Sequence, residues 1–201
     1  MDKSVILRLL RSVVYVLLRH TGFNATQTIV KTMIEKVISG GQTGADIAGL
    51  KAAKACGIAT GGYMPKGYRT LDGPKPEYAE LYNLVELDSS TYPPRTQRNV
   101  AMSDITIRFA TNWVSPGELC TKRYINEYNK PWSDVDPRDM TISPLIAAEK
   151  LCDENFKVIN IAGNSELTSP GIEQWVFDFL CKMFEHMVSY DKAFKAVEVK
   201  P

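Results

Sequence analysis

The sequence predicts an α/β protein whose mainly parallel sheet carries helices on both faces. Three observations support this. From Lys36 onward, short β-branched runs alternate with helical runs, the pattern of strands joined by crossover helices. Three of the expected strands end in glycine-containing loops, at Gly40–Gly44, Gly61–Gly67 and Ser115–Gly117. With 201 residues the chain has room for one substantial α/β domain but not for two.

The elements follow in order. Val5–Leu18 is strongly apolar but is broken by Arg8 and Arg11, and it is too short to span a bilayer. A signal peptide would need an unbroken apolar centre and a small-residue cleavage site, which "RHTGFN" does not offer. It is expected to be a helix that packs or self-associates. Contact of residues 1–20 with a membrane surface is the less favoured alternative. A second short helix spans Ala25–Lys36. Residues 1–35 thus form a helical extension, residues 36–188 the ligand-binding domain and residues 189–201 a poorly ordered tail. Within the domain, "KVIS" is a strand, Ala45–Cys56 a helix and "GIATGG" a second strand. A long Pro/Gly-rich loop runs from Tyr63 to Tyr82. "NLVEL" is a third strand, Arg95–Ser103 a helix and "DITIRFA" the clearest strand. A helix over Glu118–Asn129, the strand "KPWSDV", a helix over Pro144–Cys152 and the strand "KVINIAG" come next. The closing helix spans Gly171–Met187, and its stripe of Trp175, Phe179 and Met183 is expected to be core.

Composition excludes several classes. Hydrophobic residues make up 44% and charged residues 23%, an ordinary globular balance. The formal net charge of +1 gives no reason to expect a nucleic-acid partner. Cys56, Cys120, Cys152 and Cys181 are widely spaced, as in a reducing, cytoplasmic protein without disulfides or a zinc site. His20 and His186 lie far from the motifs below, so neither a histidine triad nor a histidine metal site is expected.

Four stretches could carry chemistry. In "GGQTGAD", glycines let backbone N–H groups approach an anion. The helix that follows adds its dipole, and Gln42 and Thr43 add side-chain donors. The competing view is a tight turn in which Asp46 caps or pairs with the helix. "GGYMPKGYRTLDGP" places Lys66 and Arg69 where they could clamp a phosphate, and Asp72 where it could hold a ribose hydroxyl or a metal-bound water, the competing view being a solvated surface loop. "PPRTQRNVAMSD" sets Arg95 and Arg98 on one helix face, with Gln97 and Asn99 between and beside them. "SPGELCTKR" offers Ser115, Gly117 and Glu118 after the clearest strand. Cys120, in the first helical turn, reads as a buried small residue more than as a nucleophile.

Together "ISGGQTGAD", "GGYMPKGYRTLDGP", "RTQRNV", "SPGE", "NKP" and "VINIAGNSE…SPGI" resemble the putative molybdenum-carrier family, a circularly permuted branch of the SLOG superfamily of Rossmann-like proteins. The resemblance covers about Val37–Met187 and implies a Rossmann-like, doubly wound sheet, a small anionic ligand at the glycine loops and a homo-oligomer. By position, Gly40, Gly41, Gln42, Thr43, Gly44 and Asp46 match the first anion-binding loop. Lys66, Gly67, Arg69, Asp72 and Gly73 match the second, and Arg95, Thr96, Arg98 and Asn99 the polar segment. Two departures stand out. Leu71 replaces a frequent acidic residue, and "SPGELCT" replaces a Gly-Gly-Thr loop. The expected function is binding of a nucleotide, a nucleotide-like cofactor, or an oxyanion such as molybdate or a molybdenum cofactor. One alternative is a nucleotide hydrolase of the phosphoribohydrolase type, with Glu118 or Asp46 and Asp72 as acid or base. The other is a nucleotide-signal sensor.

Overall fold

The computed structural model describes residues 34–139, 141–154 and 156–198. The first expected helix and most of the second fall on residues 1–33, outside the described residues, while Ile34 and Glu35 are not helical and Lys36 opens a strand. The described chain runs β1 (Lys36–Ser39), α1 (Ala45–Ala55), β2 (Ala59–Met64), β3 (Arg69–Thr70), β4 (Gly73–Pro74), α2 (Tyr78–Tyr82) and β5 (Leu84–Glu86). It continues α3 (Tyr92–Met102), β6 (Ile105–Phe109), α4 (Pro116–Glu127), β7 (Trp132–Val135), α5 (Pro144–Glu154), β8 (Val158–Gly163) and α6 (Ile172–Glu198).

The expected alternation holds, with two differences. The loop from Tyr63 to Tyr82 contains the antiparallel β3–β4 hairpin and the short helix α2. Thr70 closes that hairpin, its hydroxyl donating to the Gly73 carbonyl at 2.7 Å and accepting from the Asp72 N–H at 3.2 Å. The closing helix does not stop at Met187 but runs through the segment expected to be a poorly ordered tail. "SYDKAFKAVE" is rich in good helix formers and has neither glycine nor proline to end the helix.

Six strands form one sheet in the order β5-β2-β1-β8-β6-β7, with every pair parallel. Strand side chains point alternately to opposite faces. One face sets Val37, Ile105, Ile107, Phe109, Ile159 and Ile161 against α1, α5 and α6 in the main core. The stripe on α6 lies in that core as expected. The Trp175 and Phe179 rings stack at 5.2 Å, and Phe179 meets Phe109 edge-on at 5.4 Å. The opposite face, under α3 and α4, is unlike the first. Its central positions carry Thr106, Arg108 and Asn160, all buried, beside a small cluster of Val100, Tyr124 and Ile125.

Strand β8 comes last in the chain but lies in the middle of the sheet. If β8 is counted first, the order becomes 4-3-2-1-5-6, a doubly wound, Rossmann-like sheet whose winding reverses beside β8. The carboxyl ends of β1, β8 and β6 therefore send their loops to one crevice, on the polar face. Among the described residues no helix is long and apolar enough to cross a membrane.

Candidate functional site

A cavity of about 370 Å³ opens at this crevice, between the strand ends and helices α3 and α4. Gln42 and Asp46 come from the β1 end, Ser115, Pro116 and Gly117 from the β6 end, and Gly163, Asn164, Ser165 and Thr168 from the β8 end. Leu71 comes from the hairpin turn. Helix α3 adds Tyr92, Pro93, Arg95, Thr96 and Asn99, and α4 adds Cys120 and Thr121. Asn160 and Ala162 of β8 form the floor.

Arg95 is the cation of this cavity. Prolines in the first turn of α3 fix the start of the helix one turn before it, and its guanidinium packs against Gly40. A Cβ at Gly40 would overlap that guanidinium, so glycine is required there by close approach. Arg95 Nη1 donates to Asp46 Oδ2 at 2.7 Å, while its buried Nε has no partner. Burial pushes the Asp46 carboxyl above the ordinary range. Arg95 and the N–H groups of Gln42 and Gly163 oppose that shift.

The first glycine loop is more occupied than its sequence suggests. The Gln42 N–H donates to Asp46 Oδ2 at 3.3 Å, the Thr43 N–H to Gln42 Oε1 at 2.9 Å and the Ala45 N–H to the Asn164 carbonyl at 3.1 Å. Gln42 Oε1 also accepts the Leu71 N–H at 2.8 Å, joining the loop to the hairpin. Gly44, at φ +83°, lies where a Cβ would meet the backbone of Asn164 and Glu166, so the β1 and β8 loops pack backbone to backbone. Asn164 then holds the β6 loop, its Oδ1 accepting the N–H groups of Thr111 and Asn112 at 3.0 and 2.9 Å. These contacts fix the cavity walls without any ligand.

The expected site residues therefore separate. Gln42, Asp46, Arg95, Thr96, Asn99, Ser115 and Gly117 line the cavity, with Gly40, Gly41, Thr43 and Gly44 in the loop beside it. Asn99 is committed to structure, because its amide pairs with both the N–H and the carbonyl of Tyr63 at 2.9 and 3.1 Å. Lys66, Gly67, Arg69, Asp72 and Gly73 are not on the cavity wall. Their hairpin is tied to the β5 loop instead, with the Gly67 N–H on Glu86 at 2.6 Å and Arg69 on the Ser90 carbonyl at 3.2 Å. Arg98 is exposed and stacks over Tyr63 at 5.3 Å. Burial raises the Cys120 thiol pKa, which argues against a thiolate.

Glu118 sits behind the cavity wall, nearly fully buried. Arg108 reaches its Oε2 at 3.4 Å but makes shorter bonds to Asp134, at 2.8 and 2.7 Å. Burial, only partly offset by Arg108, pushes Glu118 up to about 7. Among the described residues no group of three or more His, Cys, Asp or Glu side chains is placed to hold a metal ion. Asn160, Asn164, Ser165 and Thr168 were not expected at the site. One signal was available, since "VINIAG" sets an asparagine in the middle of an otherwise apolar strand.

Fold and crevice together define a Rossmann-like, doubly wound α/β protein with a candidate ligand site at the point where the winding reverses. Residues 37–184 match the circularly permutated YpsA SLOG family, and the chain belongs to that family. The central position of the last strand is what such a permutation produces. The crystal structure of a putative molybdenum carrier protein from Syntrophus aciditrophicus SB is similar, with 36% sequence identity and a TM-score of 0.67. The similarity covers 76% of this chain and 96% of that one. Among curated proteins no match is found.

Proposed function

We propose that this protein binds a small anionic molecule, a nucleotide or nucleotide-like cofactor, with the anion on Arg95 and the rest of the molecule in the cavity. The observation that carries this is the buried Arg95 Nε without a partner. Buried donors in native proteins are almost always paired, and a charged one is the most costly to leave empty. A volume of about 370 Å³ suits a small organic ligand. The neighbour's name speaks of molybdenum, and molybdate or a molybdenum cofactor is the alternative occupant of the same site. The four cysteines are free thiols, which fits a cytoplasmic setting. Self-association to a homo-oligomer belongs to the same proposal and is read by light scattering.

The test is thermal unfolding of the full chain with increasing nucleotide, molybdate or sulfate. Binding raises the midpoint in a concentration-dependent way, and Arg95→Met removes the effect. If none of these anions shifts the midpoint, the proposal is wrong. The hydrolase alternative has less behind it: burial raises Glu118 to about 7, but its carboxyl lies behind the cavity wall and not on it. Free base released from a nucleoside monophosphate, and lost in Glu118→Gln, would establish it.

A further inference from the structure

The cavity floor holds an unpaired acceptor as well as an unpaired donor. Asn160 lies in the middle of β8 and is 2% exposed. Its Nδ2 donates to Thr106 Oγ1, its cross-strand neighbour on β6, at 3.2 Å, while its Oδ1 is buried with no partner. Asn160 is among the residues that line the cavity, and a buried amide oxygen in a central strand is almost always paired, so an empty one here points to a donor on the ligand.

Resting on the binding function proposed above, we infer that Asn160 determines specificity. Its Oδ1 accepts an N–H or O–H of the ligand while Arg95 holds the ligand's anion. The ligand is therefore an organic anion with its own donor, of the phosphomonoester-with-hydroxyl class. A fully deprotonated tetrahedral oxyanion such as molybdate or sulfate presents acceptors only, so it satisfies Arg95 and leaves Asn160 empty. Size agrees, because the cavity has the volume of about a dozen liquid waters, far more than a tetrahedral ion displaces. The lining agrees as well. Polar groups of Asp46, Thr121 and Asn160 are buried at the floor, whereas exposed Leu71, Pro93 and Pro116 form an apolar mouth. An ester with its anion inward would rest its apolar part there.

Calorimetric titration of the full chain with molybdate, sulfate, ribose 5-phosphate and adenosine 5′-monophosphate decides the matter. The two phosphate esters should bind about tenfold or more tightly than the two oxyanions, one neutral buried hydrogen bond's worth of discrimination. Asn160→Leu, of similar volume, should erase that gap by weakening the esters alone, and Asn160→Ser should do the same if leucine disturbs the strand. Molybdate or sulfate binding as tightly as the esters would overturn the assignment, since the amide nitrogen would then face the cavity. So would an ester preference unchanged in both Asn160 variants. In either case loss of all binding in Arg95→Met would leave the broader function standing. No binding of any probe to the unmodified chain would remove both.

Discussion

The buried carboxyl of Glu118 should make this protein less stable as the pH rises through neutrality, and a neutral isostere should reverse that. Each tenfold change in proton affinity corresponds to about 1.4 kcal/mol. Moving a carboxyl from 4.5 in the unfolded chain to about 7 in the folded one therefore ties about 3 kcal/mol of stability to its proton. Because the folded state holds the proton more tightly, that stability is fully present below pH 4.5 and is lost as the pH rises through 7. Asp46, also raised by burial, adds a contribution of the same sign. Arg108 cannot cancel the effect, since its closest bonds go to Asp134 and the contact with Glu118 is 3.4 Å. Glu118→Gln keeps the shape and removes the titration. Urea unfolding of both proteins at pH 5, 6, 7 and 8 should find them within about 1 kcal/mol of each other at pH 5, with glutamine ahead by up to about 3 kcal/mol at pH 8. The quantity to follow is the difference between the two proteins. If it does not grow with pH, the carboxyl is not held protonated by burial and the reasoning fails.

Three further substitutions test packing, one at the site and two in the main core. Gly40→Ala must push the Arg95 guanidinium off its seat, so anion binding should weaken at least about tenfold while the far-ultraviolet circular dichroism stays unchanged. In Gly49→Ala a Cβ on α1 would lie 2.6 Å from Ile161 Cβ on the central strand. The overpacking should outweigh the gain in helix propensity and leave a net loss of about 1–2 kcal/mol in chemical denaturation, whereas a more stable variant would contradict this packing. Phe184→Ala empties a fully buried position in the main core and should cost about 3–5 kcal/mol by the same measurement.

The sheet was legible because its strands are short β-branched runs separated by helical periods, a local signal that survives without knowledge of strand order. The crevice was partly legible for the same reason: "GGQTGAD" and "SPGE" each mark a strand end. What local signals could not supply was the place of β8. A last strand inserted between β1 and β6 brings Asn160, Asn164, Ser165 and Thr168 onto the site, and nothing in "VINIAGNS" states its neighbours. The helix beyond Ser189 is signalled only by what is missing, since "SYDKAFKAVE" holds no glycine or proline to end it. The lean of the second loop was not legible, because charge alone does not say which way a hairpin points. Lys66 and Arg69 are exposed, and their loop is bound to the β5 side.

Of the four cations among the candidate site residues, only Arg95 lines the cavity, and its setting decides what kind of binding follows. A buried guanidinium alone would be very costly, and Asp46 supplies the counter-charge at 2.7 Å. The pair is close to neutral seen from a distance, yet Nε still presents a donor with no partner. Recognition at such a site depends on short, oriented hydrogen bonds more than on a long-range field. Exposed lysines or arginines would behave in the opposite way, attracting anions from afar and losing them to screening once the Debye length falls to a few ångströms. Binding of a phosphate ester should therefore weaken by less than about threefold when salt is raised from about 0.1 M to about 1 M, with sodium chloride as the added salt. A loss of tenfold or more over that range, removed by Lys66→Ala or Arg69→Ala, would move the anion from Arg95 to the hairpin and reverse the order of importance argued for these residues.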